Sequence, residues 1–125
     1  MSAPKTNQKT SPRGESDATN EVRLVGRVSR PPEERVLPSG DSLWTFRVVV
    51  PRPPGAAQRR QSVDALECTA WTARARRSVA AWSADDVVEV TGALRRRFYR
   101  SGAAVGSRVE VEMSSGRLIR RAARG

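Results

Sequence analysis

Histidine is absent from this sequence of 125 residues, and cysteine occurs once, as Cys68. Without an imidazole there is no Ser-His or Cys-His pair and no histidine metal ligand. A single thiol forms neither an internal disulfide nor a multi-thiolate zinc site. The acidic pairs at 33–34 and 85–86 lie at predicted turns, where carboxylates usually cap the backbone or face water. We therefore predict a non-enzymatic protein with no catalytic site, metal or cofactor.

Long apolar runs are also missing. No segment approaches the roughly 20 apolar residues that a membrane-spanning helix needs. Residues 1–19 contain no apolar stretch of the kind that a secretory signal requires. We therefore expect a cytoplasmic protein with no membrane partner. The same residues are rich in Ser, Thr, Pro, Asn and Lys without periodicity, which predicts a disordered N-terminal tail.

Acidic residues are too few to balance the basic ones. The chain has 23 Lys and Arg against 13 Asp and Glu, which gives a net charge of +10 and favours a polyanionic partner. Lysine is scarce, because only Lys5 and Lys9 are present, and arginine is the side chain that pairs with phosphate in a fork and stacks on bases. A GC-rich coding sequence also explains arginine over lysine, but it does not explain the excess over acids. Nucleic acid is the leading partner class, and a nucleoid-associated location follows.

Strand-like segments separated by turn residues fill most of the remaining chain. They cover roughly residues 21–30, 34–37, 43–51, 63–72, 87–99 and 107–113, and "SGAAVG" at 101–106 is typical of a hairpin tip. The segment "TARARRSVAAW" is rich in Ala and Arg and begins at Thr72, a candidate N-cap, so it predicts a short helix. This layout predicts an all-β protein, a five-stranded OB-fold barrel with one short helix between strands 3 and 4.

Alternation along two strands places aromatic and basic side chains on the outward face. In "ALECTAW", residues 65–71, the outward position at the end is Trp71, and the predicted inner set is Leu66, Cys68 and Ala70. In "VEVTGALRRRFYR", which begins at Val88, the outward set includes Arg95, Arg97 and Tyr99, and the predicted inner set is Val88, Val90, Gly92 and Leu94.

Other aromatic residues fit a core better than a binding surface. Trp44 and Phe46 alternate in register with apolar Val48 and Val50, so we expect both rings in the core, with Arg47 on the opposite face. Trp82 ends the predicted helix and is interpreted as a core plug. We expect Cys68 to be buried.

The outward set has the side chains that a single-stranded nucleic acid requires. Every base offers a π-face to an aromatic ring, for about 1–3 kcal/mol each, while phosphates pair with arginine. A subunit interface is the main competing explanation for Trp71 and Tyr99. The predicted nucleic-acid contacts are Arg35, Arg47, Arg59, Arg60, Trp71, Arg95, Arg97 and Tyr99.

Four segments together resemble the bacterial single-stranded DNA-binding protein family. They are "NEVRLVGRVSRPPEERVLPSG", "LWTFRVVV", "ECTAW" and "VVEVTGALRRRFY", within about residues 20–119. The resemblance implies an OB-fold, usually a homotetramer, that binds single-stranded DNA without catalysis and protects it during replication, recombination and repair. By matched position, Trp71 and Tyr99 fall where the family has base-stacking aromatics, and Arg95 and Arg97 where it has basic DNA contacts.

The sequence also departs from the family's pattern. Ala65 stands where members commonly carry an aromatic residue, Glu67 stands at an often basic position, and Pro31 replaces a usual aspartate. Many members continue to an acidic tip that recruits other enzymes, whereas this chain stops at the basic "RLIRRAARG". If the chain is complete, we do not expect recruitment of repair and replication enzymes through such a tip.

The predicted organisation is a tail at 1–19, an OB-fold single-stranded DNA-binding domain at 20–119 and a short basic tail at 120–125. Two alternatives stay open. One is an accessory OB-fold protein of the primosomal type, a dimer that binds single strands mainly through basic residues. The other is an oligomeric interaction module whose exposed aromatics form the interface.

Overall fold

The computed structural model describes residues 17–55 and 61–123. Within those ranges the elements in chain order are β1 Val22–Val28, β2 Glu33–Val36, β3 Ser42–Pro51, β4 Val63–Ala70, α1 Ala73–Ala80, β5 Val87–Ser101 and β6 Ala104–Arg120. All six predicted strand segments and the predicted helix are present. The ends differ most in β6, which was predicted only over 107–113.

Five of the strands close into a barrel. The neighbours follow the order β1-β5-β6-β4-β3, and a β1–β3 pairing completes the circle. The short β2 pairs only with β3, and the two strands form a hairpin at the edge of the barrel. When only the five barrel strands are counted in chain order, α1 lies between the third strand, β4, and the fourth, β5. The predicted five-stranded barrel with one helix is confirmed, and β2 is a sixth strand that pairs with β3 outside the closed barrel.

Gly26 lies next to the point where the barrel closes. The closing pairs of β1 and β3 are Arg27 with Val49 and Val28 with Val48. A Cβ atom added at Gly26 would lie 2.4 Å from the carbonyl oxygen of Val49. The backbones of β1 and β3 approach so closely there that only a residue without a side chain fits.

Helix α1 starts at the predicted cap. The Thr72 hydroxyl accepts a hydrogen bond from the Ala75 amide at 3.1 Å, which satisfies one of the amides that a helix start leaves unpaired. The helix ends at Ala80 rather than at Trp82, because the amide of Ala81 bonds to the carbonyl of Ser78 in a tighter last turn.

The barrel interior is apolar. Phe46 and Trp82 are both buried, and their rings meet edge to face with centroids 5.6 Å apart. Cys68 is buried too, and burial raises the pKa of its thiol to about 12. The predicted core positions of Phe46, Trp82 and Cys68 are confirmed. Trp44 is partly buried and packs against the margin of this core.

Strands β5 and β6 continue past the barrel as a two-stranded hairpin. β5 pairs with β1 only as far as Gly92, and β6 pairs with β4 only from Val111 onward. We call residues 95–110 the arm, because there the two strands pair only with each other. The turn at its end is Gly102-Ala103, with Gly102 at φ +62°, shorter than the predicted tip at 101–106.

The arm changes the outcome for Leu94, which was predicted to face inward. This prediction is wrong, since the Leu94 side chain is 46% exposed. Leu94 lies at the base of the arm, beyond the last β1–β5 pair. The side chains of β5 therefore keep alternating between its two faces beyond the barrel, but no barrel interior lies there to bury the inward positions.

Strand β6 runs to Arg120, and the residues that follow stay attached to the barrel. The carboxylate of Asp86 accepts hydrogen bonds from the Ala122 amide at 2.8 Å and from the Arg121 guanidinium at 3.1 Å. The boundaries predicted for the two tails stay predictions, and residues 1–16 and 124–125 lie outside the described residues. In the described part of the chain, α1 is too short and too polar to cross a membrane.

Candidate nucleic-acid interface

A groove of about 400 Å³ lies between the arm, the end of β4 and strand β2. Four of the eight predicted contacts line it: Arg35, Trp71, Arg97 and Tyr99. The structure therefore brings together residues that are separated by up to 64 positions in the chain. The groove has both aromatic rings and guanidinium groups at its surface, which is the combination that the sequence predicted.

Trp71 lies in the connection between β4 and α1 and is half-buried rather than fully outward. The guanidinium carbon of Arg97 lies 5.6 Å from the centroid of the Trp71 ring, a cation–π contact. The indole Nε1 is buried and has no hydrogen-bond partner among the described residues. A base that stacks on the covered face of Trp71 must therefore displace Arg97.

Arg95 and Arg97 are held by two glutamates on β6. Arg97 donates from Nε to Glu110 Oε2 at 2.9 Å and from Nη2 to Glu112 Oε1 at 3.2 Å, and Arg95 donates to the same Glu112 oxygen at 3.0 Å. Glu110 is buried and also accepts from the Thr69 hydroxyl at 3.1 Å. Much of the positive charge on this face is thus neutralised within the protein.

Sequence reasoning missed both glutamates. Glu110 and Glu112 lie two residues apart in "VEVEM", and the alternation there could have placed them on the outward face of β6. The hairpin of β5 and β6 was predicted, but its register, which sets Arg95 opposite Glu110, was not. Without that register, the arginines of β5 had no visible partner.

Tyr99 is the more accessible of the two predicted stacking rings. Its side chain is 52% exposed and lies across Gly106 on β6, where an added Cβ atom would be 2.5 Å from the ring. The absence of a side chain at Gly106 lets the ring lie flat on the neighbouring strand. Tyr99 therefore forms an open wall of the groove.

The remaining predicted contacts are not gathered in the groove. Arg47 lines a separate small cleft and donates to Glu67 Oε2 at 2.6 Å, while Arg95 lies outside the groove lining. By contrast, Arg35 lines the groove and is exposed there, and in the described part of the chain no carboxylate lies within ion-pair distance of its guanidinium group. Arg59 and Arg60 lie outside the described residues.

One exposed ring was not predicted at all. Phe98 follows Arg97 in the arm and is 73% exposed. The alternation counted from Val88 assigned residues 88, 90, 92 and 94 to the interior and gave no position for Phe98. The length of β5 beyond its barrel partner was the missing information, because both faces of the arm are open to solvent.

Known proteins resemble this chain in sequence and in fold. Residues 19–118 match the model of the single-strand binding protein family. Single-stranded DNA-binding protein 3 of Listeria innocua is 40% identical over 42% of this chain and 32% of its own length. Single-stranded DNA-binding protein 1 of Staphylococcus aureus is 34% identical over 66% of this chain and 49% of its own. This chain thus spans about half, or less, of the relatives it matches.

A solved structure described as a Plasmodium falciparum SSB complex with ssDNA has a TM-score of 0.68 to this chain at 20% identity. The likeness covers 92% of this chain and 98% of the other, and it shows that the two share the same barrel fold. The family match covers most of the chain, including β1, the groove and the arm. The protein therefore belongs to the single-strand binding protein family.

Proposed function

We propose that this protein binds single-stranded DNA without sequence preference and without catalysing a reaction. The observation that carries the proposal is the groove, which combines the Trp71 and Tyr99 rings with the guanidinium groups of Arg35 and Arg97. Membership of the single-strand binding protein family supports it. The solved neighbour is named as a complex with single-stranded DNA, which also supports it.

The binding uses two kinds of contact. Bases stack on Tyr99 and on Trp71, for about 1–3 kcal/mol per base, and every base has a π-face, so the contact is sequence-tolerant. Phosphates pair first with Arg35, which is exposed and has no ion-pair partner among the described residues. Arg97 binds a phosphate only by releasing Glu110 or Glu112, which lowers its net gain.

The cellular setting is part of the same proposal. A cytoplasmic protein that coats single strands would protect them during replication, recombination and repair, and a homotetramer would wrap one strand over several grooves. These roles rest on the family resemblance. Binding of the single strand by one chain does not depend on them.

The test is a fluorescence titration with oligo-dT at several salt concentrations, beside duplex of the same length. We expect quenching by the single strand that persists at moderate salt. Trp71→Ala should weaken binding about 5- to 150-fold, the equivalent of 1–3 kcal/mol, with little change in salt slope, because stacking releases no counterions. Trp44→Phe is the matched control, since Trp44 lies on the opposite side of β3 from the groove-lining Thr45.

Equal and fully salt-sensitive binding to single strand and duplex would overturn the proposal. It would mean that the net charge of +10 acts alone. A second candidate, arginine-driven binding of the primosomal accessory type, is favoured by one observation: Arg97 already covers a face of Trp71. In that case Trp71→Ala leaves affinity unchanged, while Arg35→Ala weakens it and flattens the salt slope.

A further inference from the structure

We infer that the DNA strand continues from the groove onto the neighbouring face of the arm, with Phe98, which borders the groove, as a stacking platform between Arg96 and Arg100. We call these three residues the outer stripe. This inference rests on the proposed function, since it extends the path of a strand that the groove already holds. None of these residues is among the eight predicted nucleic-acid contacts, and of the three only Phe98 borders the groove.

Alternation along β5 places the outer stripe on its own face of the arm. Arg95, Arg97 and Tyr99 leave the strand on the groove side, so the side chains between them leave on the other side. Phe98 also contributes to the groove's rim, which it shares with Arg97. A strand that leaves the groove at Tyr99 therefore reaches Phe98 without crossing the barrel.

The exposure of Phe98 has no structural explanation in the single chain. At 73% it is the most exposed large apolar side chain in the described residues. Its neighbour across the hairpin is Ser107, which is too small to cover the ring. Full burial of a phenylalanine side chain is worth about 1.5–3 kcal/mol, and an exposed ring forgoes most of that free energy, which a stacked base would recover.

The arginines on the two faces of the arm differ in whether they form ion pairs. On the groove side, Arg95, Arg97 and Arg108 share Glu110 and Glu112. Arg96 and Arg100 form no ion pair within the described ranges, and Arg96 donates instead to the Ser107 hydroxyl at 3.1 Å. The outer stripe thus offers two guanidinium groups that need release no carboxylate before they bind phosphate. Its charge is complementary to a polyanion.

The spacing of the outer stripe suits an extended strand. Side chains two residues apart on one face of a β-strand are about 6.7 Å apart, so Arg96 and Arg100 are separated by about 13 Å with the ring between them. A base can therefore lie on Phe98 while phosphates on either side reach the two arginines. This is the alternation of aromatic and basic groups that sequence-tolerant binding of single strands uses.

A second copy of this chain fits the outer stripe less well. A two-fold contact through this face would bring Arg96 and Arg100 against the same residues of the other copy. The residues of β6 opposite the outer stripe are Val109, Ser107 and Val105, so this part of the arm has no carboxylate to separate the arginines, and like charges in contact are unfavourable. The occupant that fits both the ring and the charge is single-stranded DNA.

The experiment measures the affinity of Phe98→Ala and Val105→Ala for oligo-dT strands of increasing length. Val105 is the matched control, since it is 63% exposed and lies opposite Arg100 on the same face of the arm, but it has no ring. We expect Phe98→Ala to weaken binding of the longer strands about 5- to 150-fold with an unchanged salt slope, and Val105→Ala to change it less than twofold. The loss should be smaller for the shortest strands, which fill the groove and meet Phe98 only at its edge.

The double variant Arg96→Gln, Arg100→Gln tests the charges separately. It should flatten the slope of log affinity against log salt by about 1.4, because each phosphate contact on a single strand contributes about 0.7. Sedimentation of each variant without DNA follows the oligomeric state. A smaller assembly in Phe98→Ala with unchanged DNA affinity would show that a second copy covers the ring, and it would overturn the inference.

The two proposals fail in different ways. If the wild-type protein prefers single strands and Trp71→Ala weakens binding, but Phe98→Ala behaves like Val105→Ala at every length, the outer stripe is wrong and the proposed function stands. If the wild-type protein shows no preference for single strands over duplex, the proposed function itself is wrong. Because Phe98 is exposed, its removal should not lower the unfolding midpoint, which thermal unfolding checks.

Discussion

The arm continues two of the five barrel strands, β5 and β6, and yet the side chains of the two regions differ in burial. In the barrel, Val88 and Val90 alternate with outward residues and are fully buried. In the arm, the same alternation leaves both Phe98 and Tyr99 more than half exposed. Strand alternation sorts side chains onto two faces, but a face is buried only where a second layer covers it. The barrel therefore buries the apolar core, whereas both faces of the arm stay open to solvent.

The largest difference between the two regions should appear in glycine substitutions. Gly26→Ala puts a Cβ atom against the Val49 backbone at the barrel closure, where nothing flexible can move aside. We expect the free energy of unfolding to fall by about 3 kcal/mol or more, as for severe overpacking. Urea unfolding measures it.

Gly106→Ala in the arm is the matched comparison. The added atom meets only the far end of the Tyr99 side chain, which can rotate away. We expect a loss of less than about 1 kcal/mol, offset in part by the backbone entropy that alanine saves. Equal losses in Gly26→Ala and Gly106→Ala would contradict the distinction between a rigid barrel and an adaptable arm.

A smaller effect should come from Asp86, which ties the end of β6 to the barrel. Burial alone would raise the pKa of Asp86, but hydrogen bonds from the Ala122 and Ser83 amides and the charge of Arg121 outweigh it, so its pKa lies below the ordinary value. Asp86→Ala leaves those donors unsatisfied and should cost about 1–3 kcal/mol of unfolding free energy.

The pH dependence follows from the same shift. A carboxyl group whose pKa is depressed by folding stabilises the protein above its unfolded pKa of about 3.9, and this contribution is lost as pH falls toward the folded value. The wild-type protein should therefore lose stability below about pH 4 more steeply than Asp86→Asn does. Parallel acid-unfolding curves for the two proteins would show that Asp86 is not the group responsible.

Within the arm, Glu110→Gln tests whether the groove face is neutralised by its own acids. The change frees Arg97 from a buried carboxylate while keeping an acceptor for the Thr69 hydroxyl. We expect tighter binding of oligo-dT at low salt and a salt slope steeper by about 0.7, one additional phosphate contact. Glu34→Gln, on the exposed β2, removes the same charge away from the groove. If both variants tighten binding equally, the effect is one of net charge rather than of Arg97.

The last comparison of the two regions uses the reactivity of cysteine thiols. The substitution it needs, Val105→Cys, should change stability least, because Val105 is exposed. Burial raises the pKa of the Cys68 thiol to about 12, so the thiolate that reacts is scarce at pH 8. In Val105→Cys the new thiol lies at an exposed position in the arm. A thiol reagent should modify one cysteine per folded chain quickly and the second only after unfolding. Rapid modification of Cys68 in the wild-type protein would mean that the barrel opens.

Most of the barrel could be predicted from local patterns. Alternation marked the strand segments, and Thr72 marked the start of the helix. Phe46 and Trp82 were correctly placed in the core, because each lies in a local pattern with one apolar face. Such signals act over a few residues, so they are visible in the sequence before any tertiary contact is known.

The candidate site was only partly predictable, since it depends on which strands meet. Arg97 was expected to be free for phosphate, but the β5–β6 register places it beside Glu110, 13 residues away. Trp71 was expected to point outward, but the chain turns at the end of β4 and lays the ring under Arg97. Phe98 was missed because the sequence does not show at which residue β5 leaves its partner β1 and extends beyond the barrel.

The sequence by itself determined the strand and helix segments, the apolar core and the positive charge, because these follow from residue type and short-range alternation. Only the tertiary structure decided which arginines are neutralised, which aromatic rings share a groove and how far β5 extends beyond its partners. Those features depend on register and on distances between segments far apart in the chain, and a one-dimensional pattern contains neither.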